Sequence, residues 1–286
     1  NHDVGDKPDP TMPTHPVTAE GLAAYHRRFG SSWYSFDRGP LHGIVVNSQI
    51  LNSDLEAADE QRRWLEADLA AHSGRRLAVF THLPPYLSHH SEAGLGNYDI
   101  IDQPDRTWLL DLVRRYEAEV FFAGHVHFAF ADQAGPTRYR LTPSTSFTRP
   151  GFSHLFCAAP PPERGRDDWP KLGFYWCRVF AERLDLHFIR TSMARGEDVW
   201  PSGRRVVTPA PAPNSRGCGC LGLGLSHPLA ETGQVPIAFP SLVRQPVRND
   251  YPLLSLLELG AAVVRFPWTD LVDPHQRRRL EILRDE

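Results

Sequence analysis

Three short apolar runs constrain this chain more than any other feature. Gly43–Asn47, Leu77–Phe80 and Val120–Ala123 are each four or five residues long and bounded by turn-forming residues. Runs of that length and setting read as buried strands. Amphipathic helical patterns lie between them. Asp59 to Ala71 carries Trp64, Leu65 and Leu69 on one face, and Asp105 to Tyr116 carries Trp108, Leu109, Leu112, Val113 and Tyr116 at helical spacing. Asp105 is expected to cap or complement the start of the second helix. Buried strands alternating with helices point to an α/β layered sheet.

The flanking segments are read from local signals. Residues 1–40 are loop-rich, with Pro8, Pro10, Pro13 and Pro16 close together, and a short helix is expected from Thr18, as cap, to Phe29. Tyr139 to Leu141, Gly173 to Phe180 and Arg183 to Ile189 read as strands that complete a sheet. Pro160 to Pro162 is a loop. The stretch from Thr208 through Pro213 to Ser215 is a linker signal. These readings divide the chain into 1–192, a Pro-rich linker at 193–216, and 217–286 as the start of a further α/β unit, barrel-like in pattern. In that last part Val263 to Phe266 reads as a strand and Asp273 to Arg284 as a helix. One such unit cannot bury its own apolar face, so it needs further chain or a docking surface on the first domain.

Composition excludes several classes. Seven Trp, eight Tyr and fifteen Phe in 286 residues supply a core that a disordered chain lacks. The apolar stretch Leu253 to Val264 is interrupted by Ser255 and Glu258 and is too short to span a bilayer, so no membrane partner is expected. A formal charge of −3 offers no electrostatic footprint for nucleic acid. Four cysteines make no disulfide framework in a chain of this length. The expected compartment is the cytoplasm. The sequence opens on Asn1 and stops within a helical pattern, and both ends read as cut.

The polar residues that follow the strands carry the chemistry. In open α/β sheets, ligands bind where strand carboxyl ends and loops converge. Leu77–Phe80 runs into Thr81-His82, and Val120–Ala123 runs into Gly124-His125-Val126-His127. Two strands therefore deliver histidines to one edge. In extended backbone, His125 and His127 project to the same side, and Gly124 is expected to take the tight exit from the strand. Imidazole is the commonest side-chain ligand for transition metals. Taken alone, this H-x-H is equally consistent with two surface histidines, and His82 reads as a capped loop histidine rather than a ligand.

Order and setting change that balance. The chain reads N-H-D at its start, then V-V-N-S-Q, then Q-x-x-W-L on a helix, then V-F-T-H-L-P-P and F-F-A-G-H-V-H. This series resembles the calcineurin-like metallophosphoesterases over residues 1 to about 150, with looser agreement to about 192. The resemblance implies a four-layer α/β/β/α sandwich holding two divalent metals, Mn, Fe or Zn, at the sheet edge. It implies that Asn1, through its side-chain carbonyl, joins His82 and His125 on the second metal, and that His127 ligates the first. His2 would then protonate the leaving alkoxide or stabilise the transition state, with Asp3 holding its tautomer. In the family, D-x-H and G-D-x-x-D elements precede the position of Asn1, where this sequence has no residues. Asp6 and Asp9 lack the spacing and strand context to replace them. Weak metal binding and poor phosphoester hydrolysis are therefore expected of these 286 residues.

The activity implied is hydrolysis of a small-molecule phosphomonoester or phosphodiester. The alternatives are a nuclease or cyclic-nucleotide phosphodiesterase on the same scaffold, and a non-catalytic scaffold with a broken metal site. Substrate and oligomeric state are not written in the sequence. His89, His90, Asn97 and Tyr98 fall in a loop read as solvated, while Arg138 and Arg149 are read as ordinary surface or ion-pair residues. Cys218 and Cys220 read as ordinary thiols, because a structural zinc site needs four ligands. His227, a lone histidine beside a proline, is set aside.

Overall fold

The computed structural model of the chain describes residues 1–9, 15–93, 97–146, 172–191, 222–236, 243–261 and 263–285. Helix α1 (Ala19–Phe29) begins as expected at Thr18, whose hydroxyl accepts from Gly21 N at 3.0 Å. Strands β1 (Tyr34–Arg38) and β2 (Leu41–Val45) follow as an antiparallel pair. Then come α2 (Glu56–Ala71), β3 (Arg76–Phe80), α3 (Asp105–Arg115) and β4 (Val120–Ala123), the alternation that the apolar runs predicted. Strands β5 (Phe130–Ala134) and β6 (Thr137–Leu141) finish a six-stranded sheet in the order β1-β2-β3-β4-β6-β5. Its four inner strands are parallel and its two edges antiparallel.

Alternation along the strands sorts the core into two faces. Leu77 and Val79 of β3, with Phe121 and Ala123 of β4, join Leu65 and Leu69 of α2 and Leu109, Leu112 and Val113 of α3 in the main cluster. Ala78, Val120 and Phe122 face the other way. There they meet a hairpin of β7 (Gly173–Val179) and β8 (Leu184–Arg190), through Leu184 and the half-buried Tyr175, Val179 and Leu186. Helices, sheet and second sheet thus form three of the four expected layers. Phe174 and Trp176 on the outer face of β7 are exposed, so among the described residues no fourth layer covers them.

The C-terminal residues pack against this body. Beyond β9 (Gly222–Gly224), β10 (Thr232–Pro236) and β11 (Arg244–Arg248) pair antiparallel, and their Val235 and Val247 join the main cluster. Helix α4 (Tyr251–Leu259) starts with a proline in its first turn and ends at Gly260 in a left-handed conformation, φ 61°. Strand β12 (Val263–Arg265) pairs in parallel with β9, and α5 (Trp268–Val272) and α6 (Pro274–Asp285) close the chain. Leu253 of α4 and Ile282 of α6 bury against Ala131 of β5. No described helix is long and apolar enough to cross a membrane.

Seven elements were not foreseen: β1, β5 and α4, and the C-terminal β9, β10, β11 and α5. β1 is a mostly exposed edge strand and leaves no clean alternation. β5 directly follows the histidine turn, and α4 lies in the stretch weighed only against a membrane span. Asp105 complements the start of α3 as the acidic residue of its first turn, but it does not cap it. Pro104 occupies the cap position and makes no side-chain cap bond. The Asp105 carboxylate instead accepts from Asn52 N at 2.6 Å and from Arg62 at 2.7 Å, tying α3 to α2. The linker at 193–216, Pro160–Pro162, Arg149, Cys218 and Cys220 lie outside the described residues.

Candidate metal centre

The pairing of β3 with β4 continues past both strands and carries the histidines with it. Thr81 N donates to Phe122 O at 2.9 Å and Gly124 N to His82 O at 3.0 Å. Side chains two residues beyond each strand therefore arrive side by side. His82 Nε2 and His125 Nδ1 stand 3.1 Å apart, with ring centroids at 4.9 Å and planes at 73°. His127, His2 and the amino terminus lie close enough to disfavour charge on His82.

The G-H-V-H turn differs from the sequence expectation. Gly124 has no positive φ. His125 and His127 themselves take left-handed backbone, at φ 68° and 52°, so neither is extended. Such conformations cost about 1–3 kcal/mol each in a residue with a β-carbon. Val126, fully buried between them, and the buried Phe128 anchor the turn against that cost.

The N-S-Q segment after β2 fixes the neighbouring loops. Ser48 Oγ accepts from Leu83 N at 2.9 Å, immediately after His82. Gln49 Oε1 accepts from Lys7 N at 2.8 Å, holding the N-terminal segment, and the Lys7 ammonium pairs with Asp102. Asn1 is thereby brought beside Tyr98. Its Nδ2 donates to Tyr98 OH at 2.8 Å and to Asp6 Oδ1 at 3.0 Å. With both amide hydrogens engaged, Oδ1 is the atom Asn1 has left to offer a cation. His2 and Asp3 are exposed, and no hydrogen bond joins them among the described residues. The tautomer-holding contact expected between them is not made here.

Asn97 and Tyr98 correct the reading of a solvated loop. Both are buried, as is Asp99, which sequence reasoning missed. Asn97 Oδ1 accepts from Asp99 N at 3.0 Å. The Tyr98 ring meets His125 edge-on at 4.9 Å, and its hydroxyl donates to Asp6 Oδ1 at 3.0 Å. Burial, reinforced by Asp6, raises the Tyr98 pKa and keeps it a neutral phenol. Asp99 stands behind the second nitrogen of His125, Oδ1 to Nε2 3.4 Å, and its other oxygen is held by Gln245 of β11. A carboxylate backing a histidine in this way is the usual outer support of a metal ligand. The apolar Ile100-Ile101 directly after N-Y-D was the signal that this loop turns inward.

The donor set suits a divalent transition metal. Burial first, then His125, the amino terminus, His127 and His2, push the His82 pKa down to about 2, so the ring keeps a neutral lone pair. Two imidazole nitrogens 3.1 Å apart match two ligands on one ion at about 2.0–2.1 Å each. Arg138 is occupied as expected, with Glu119 and Leu184 O each at 3.0 Å. His227 bonds Asp270 at 2.5 Å, on the far C-terminal elements.

No family model matches the chain. Among characterised proteins, the chain is 28% identical over 133 residues to serine/threonine-protein phosphatase CPPED1 of Bos taurus, covering 44% of this chain and 39% of that one. It is 32% identical over 98 residues to purple acid phosphatase 21 of Arabidopsis thaliana, covering 33% of this chain and 20% of the other. The chain thus spans well under half the length of either relative. Among solved structures, purple acid phosphatase PPD1 from yellow lupin seeds superposes with a TM-score of 0.42 at 16% identity, covering 67% of this chain and 37% of that one. With two phosphatase lineages matched in sequence and the H-L-P-P and G-H-V-H histidines at one sheet edge, the chain is similar to the calcineurin-like metallophosphoesterases.

Proposed function

We propose that these residues form part of a dinuclear metal centre that hydrolyses phosphate esters, with a small-molecule phosphomonoester as the substrate class. The observation that carries the reading is the 3.1 Å approach of His82 Nε2 to His125 Nδ1 at the carboxyl ends of adjacent parallel strands. His82, His125 and the carbonyl of Asn1 would hold one metal, and His127 would contribute to its neighbour. Divalent ions there would lower the pKa of a bridging water and neutralise charge on phosphoryl oxygens. Asp99 steadies His125 through Nε2, and Tyr98 orients Asn1. His2, exposed beside the cluster, hands a proton to the leaving oxygen, and Asp3 closes on it when substrate arrives, since such contacts commonly tighten only in the complex. The phosphatase names of both relatives favour monoesters over the nuclease or cyclic-nucleotide alternatives.

In the family's order, the carboxylate elements for the rest of the centre precede Asn1. The protein to assay is therefore a form that carries those elements together with these residues. With a chromogenic aryl phosphate and added Mn²⁺, His125→Ala in that form should lose activity by at least on the order of 100-fold. Equal turnover in both proteins would overturn the assignment and leave the non-catalytic scaffold.

A further inference from the structure

A second cluster of donors lies at the opposite end of the same sheet. His42 is the second residue of β2 and stands opposite Leu77 of β3, five residues before His82. At ~3.3 Å per strand residue that is a separation of roughly 16 Å. Asp68 lies in the last turn of α2 and His72, four residues on, is its C-cap, so the two share a face. One donor atom from each of His42, Asp68 and His72 lies within 4.8 Å of the others. His42 Nε2 is 2.9 Å from Asp68 Oδ2; His72 Nδ1 is 3.5 Å from Asp68 Oδ1 and donates to Asp68 O at 2.8 Å, which leaves Nε2 as the ring's lone pair. The two imidazoles stack, centroids 3.7 Å apart and planes at 18°.

We propose that His42, Asp68 and His72 form a binding site for one transition-metal ion of the zinc class, separate from the centre at the other edge. Two imidazoles and one carboxylate suit zinc and its neighbours, whereas calcium and magnesium take oxygen ligands. The surroundings are built for it. Asp37 Oδ1 holds His42 Nδ1 at 2.7 Å, which leaves Nε2 to carry the lone pair that faces Asp68. Ser35 Oγ donates to Asp68 Oδ1 at 3.0 Å and fixes that carboxylate. Arg75 is drawn aside by Asp37 at 3.0 Å. The side chains of His42, Asp68 and His72 are 3%, 11% and 28% exposed. The site is thus anchored from within and reachable from solvent, and a bound ion would staple the start of β2 to the last turn of α2. The competing arrangement is a doubly protonated His42 that donates to both Asp37 and Asp68, with no ion.

Cobalt(II) and zinc(II) binding to the full chain separates the two. A His82→Ala/His125→Ala/His127→Ala protein, which lacks the three histidine donors of the other edge, should still bind about one equivalent by equilibrium dialysis. It should also give the visible absorption of low-coordinate cobalt. Adding His72→Ala, a change at the partly exposed C-cap of α2 that leaves the fold intact by circular dichroism, should abolish both signals. Asp37→Asn should weaken binding about 10- to 100-fold without removing it. Absence of the equivalent in the triple variant, or its survival once His72→Ala is added, would overturn the site and leave the proton-held cluster.

Discussion

His82 and His125 were legible because each follows an apolar run that could only be a buried strand, and parallel neighbours end at the same edge. Asp99 was not, because a carboxylate in a loop carries no periodicity. Its importance comes from burial and from facing His125 Nε2 at 3.4 Å. Asp99→Asn should therefore lower metal affinity at this edge about 10- to 100-fold while secondary structure is retained, as read by competition against a chelator. An unchanged affinity would reduce Asp99 to a packing residue. The turn at Gly124 shows the same limit from the other side. Glycine suggested where the backbone would bend, yet the left-handed residues are His125 and His127, held by the buried Val126. Packing chose the strained positions, and packing between distant segments is not visible in a local pattern.

At the scale of elements, α2, α3, β3 and β4 emerged close to their expected bounds because their apolar spacing matches what each buries. The docking of α6 on β5 is held by charges whose partners lie far away in sequence, and nothing local announces it. Arg279 donates to Ala131 O at 2.9 Å and to Asp132 Oδ1 at 2.5 Å, with 2% of its side chain exposed. Arg248 lies over the Phe130 ring at 4.3 Å and donates to Ala131 O at 3.1 Å. Burial penalises the Asp132 carboxylate, but Arg248 and Arg279 together outweigh it and hold its pKa below the ordinary carboxylate value. With a folded pKa below the unfolded value of about 3.9, Asp132 stabilises the fold above that pH. That contribution is lost as pH falls through the folded pKa. Asp132→Asn leaves buried guanidinium groups short of a counter-charge, and should cost about 3–5 kcal/mol at neutral pH. It should also flatten the acid limb of a stability-against-pH series measured by denaturant unfolding. An acid limb as steep as that of the parent would assign the acid sensitivity to other carboxylates.

For the whole molecule, the alternation of strands and helices pointed to the α/β class, and the six-stranded, largely parallel sheet with its helices bears it out. What the alternation did not state is that β10 and β11, from the far end of the chain, set Val235 and Val247 into the main cluster beside the helices. Through Gln245 the same hairpin reaches Asp99, and so supports the metal edge from behind. The proposed centre places a metal at this edge between histidines from two strands. Anomalous scattering from a zinc-loaded crystal would locate it. A peak is expected about 2.0–2.1 Å from both His82 Nε2 and His125 Nδ1, the distance of zinc–imidazole bonds. An empty map at that point, with the two rings still bonded to each other, would contradict it.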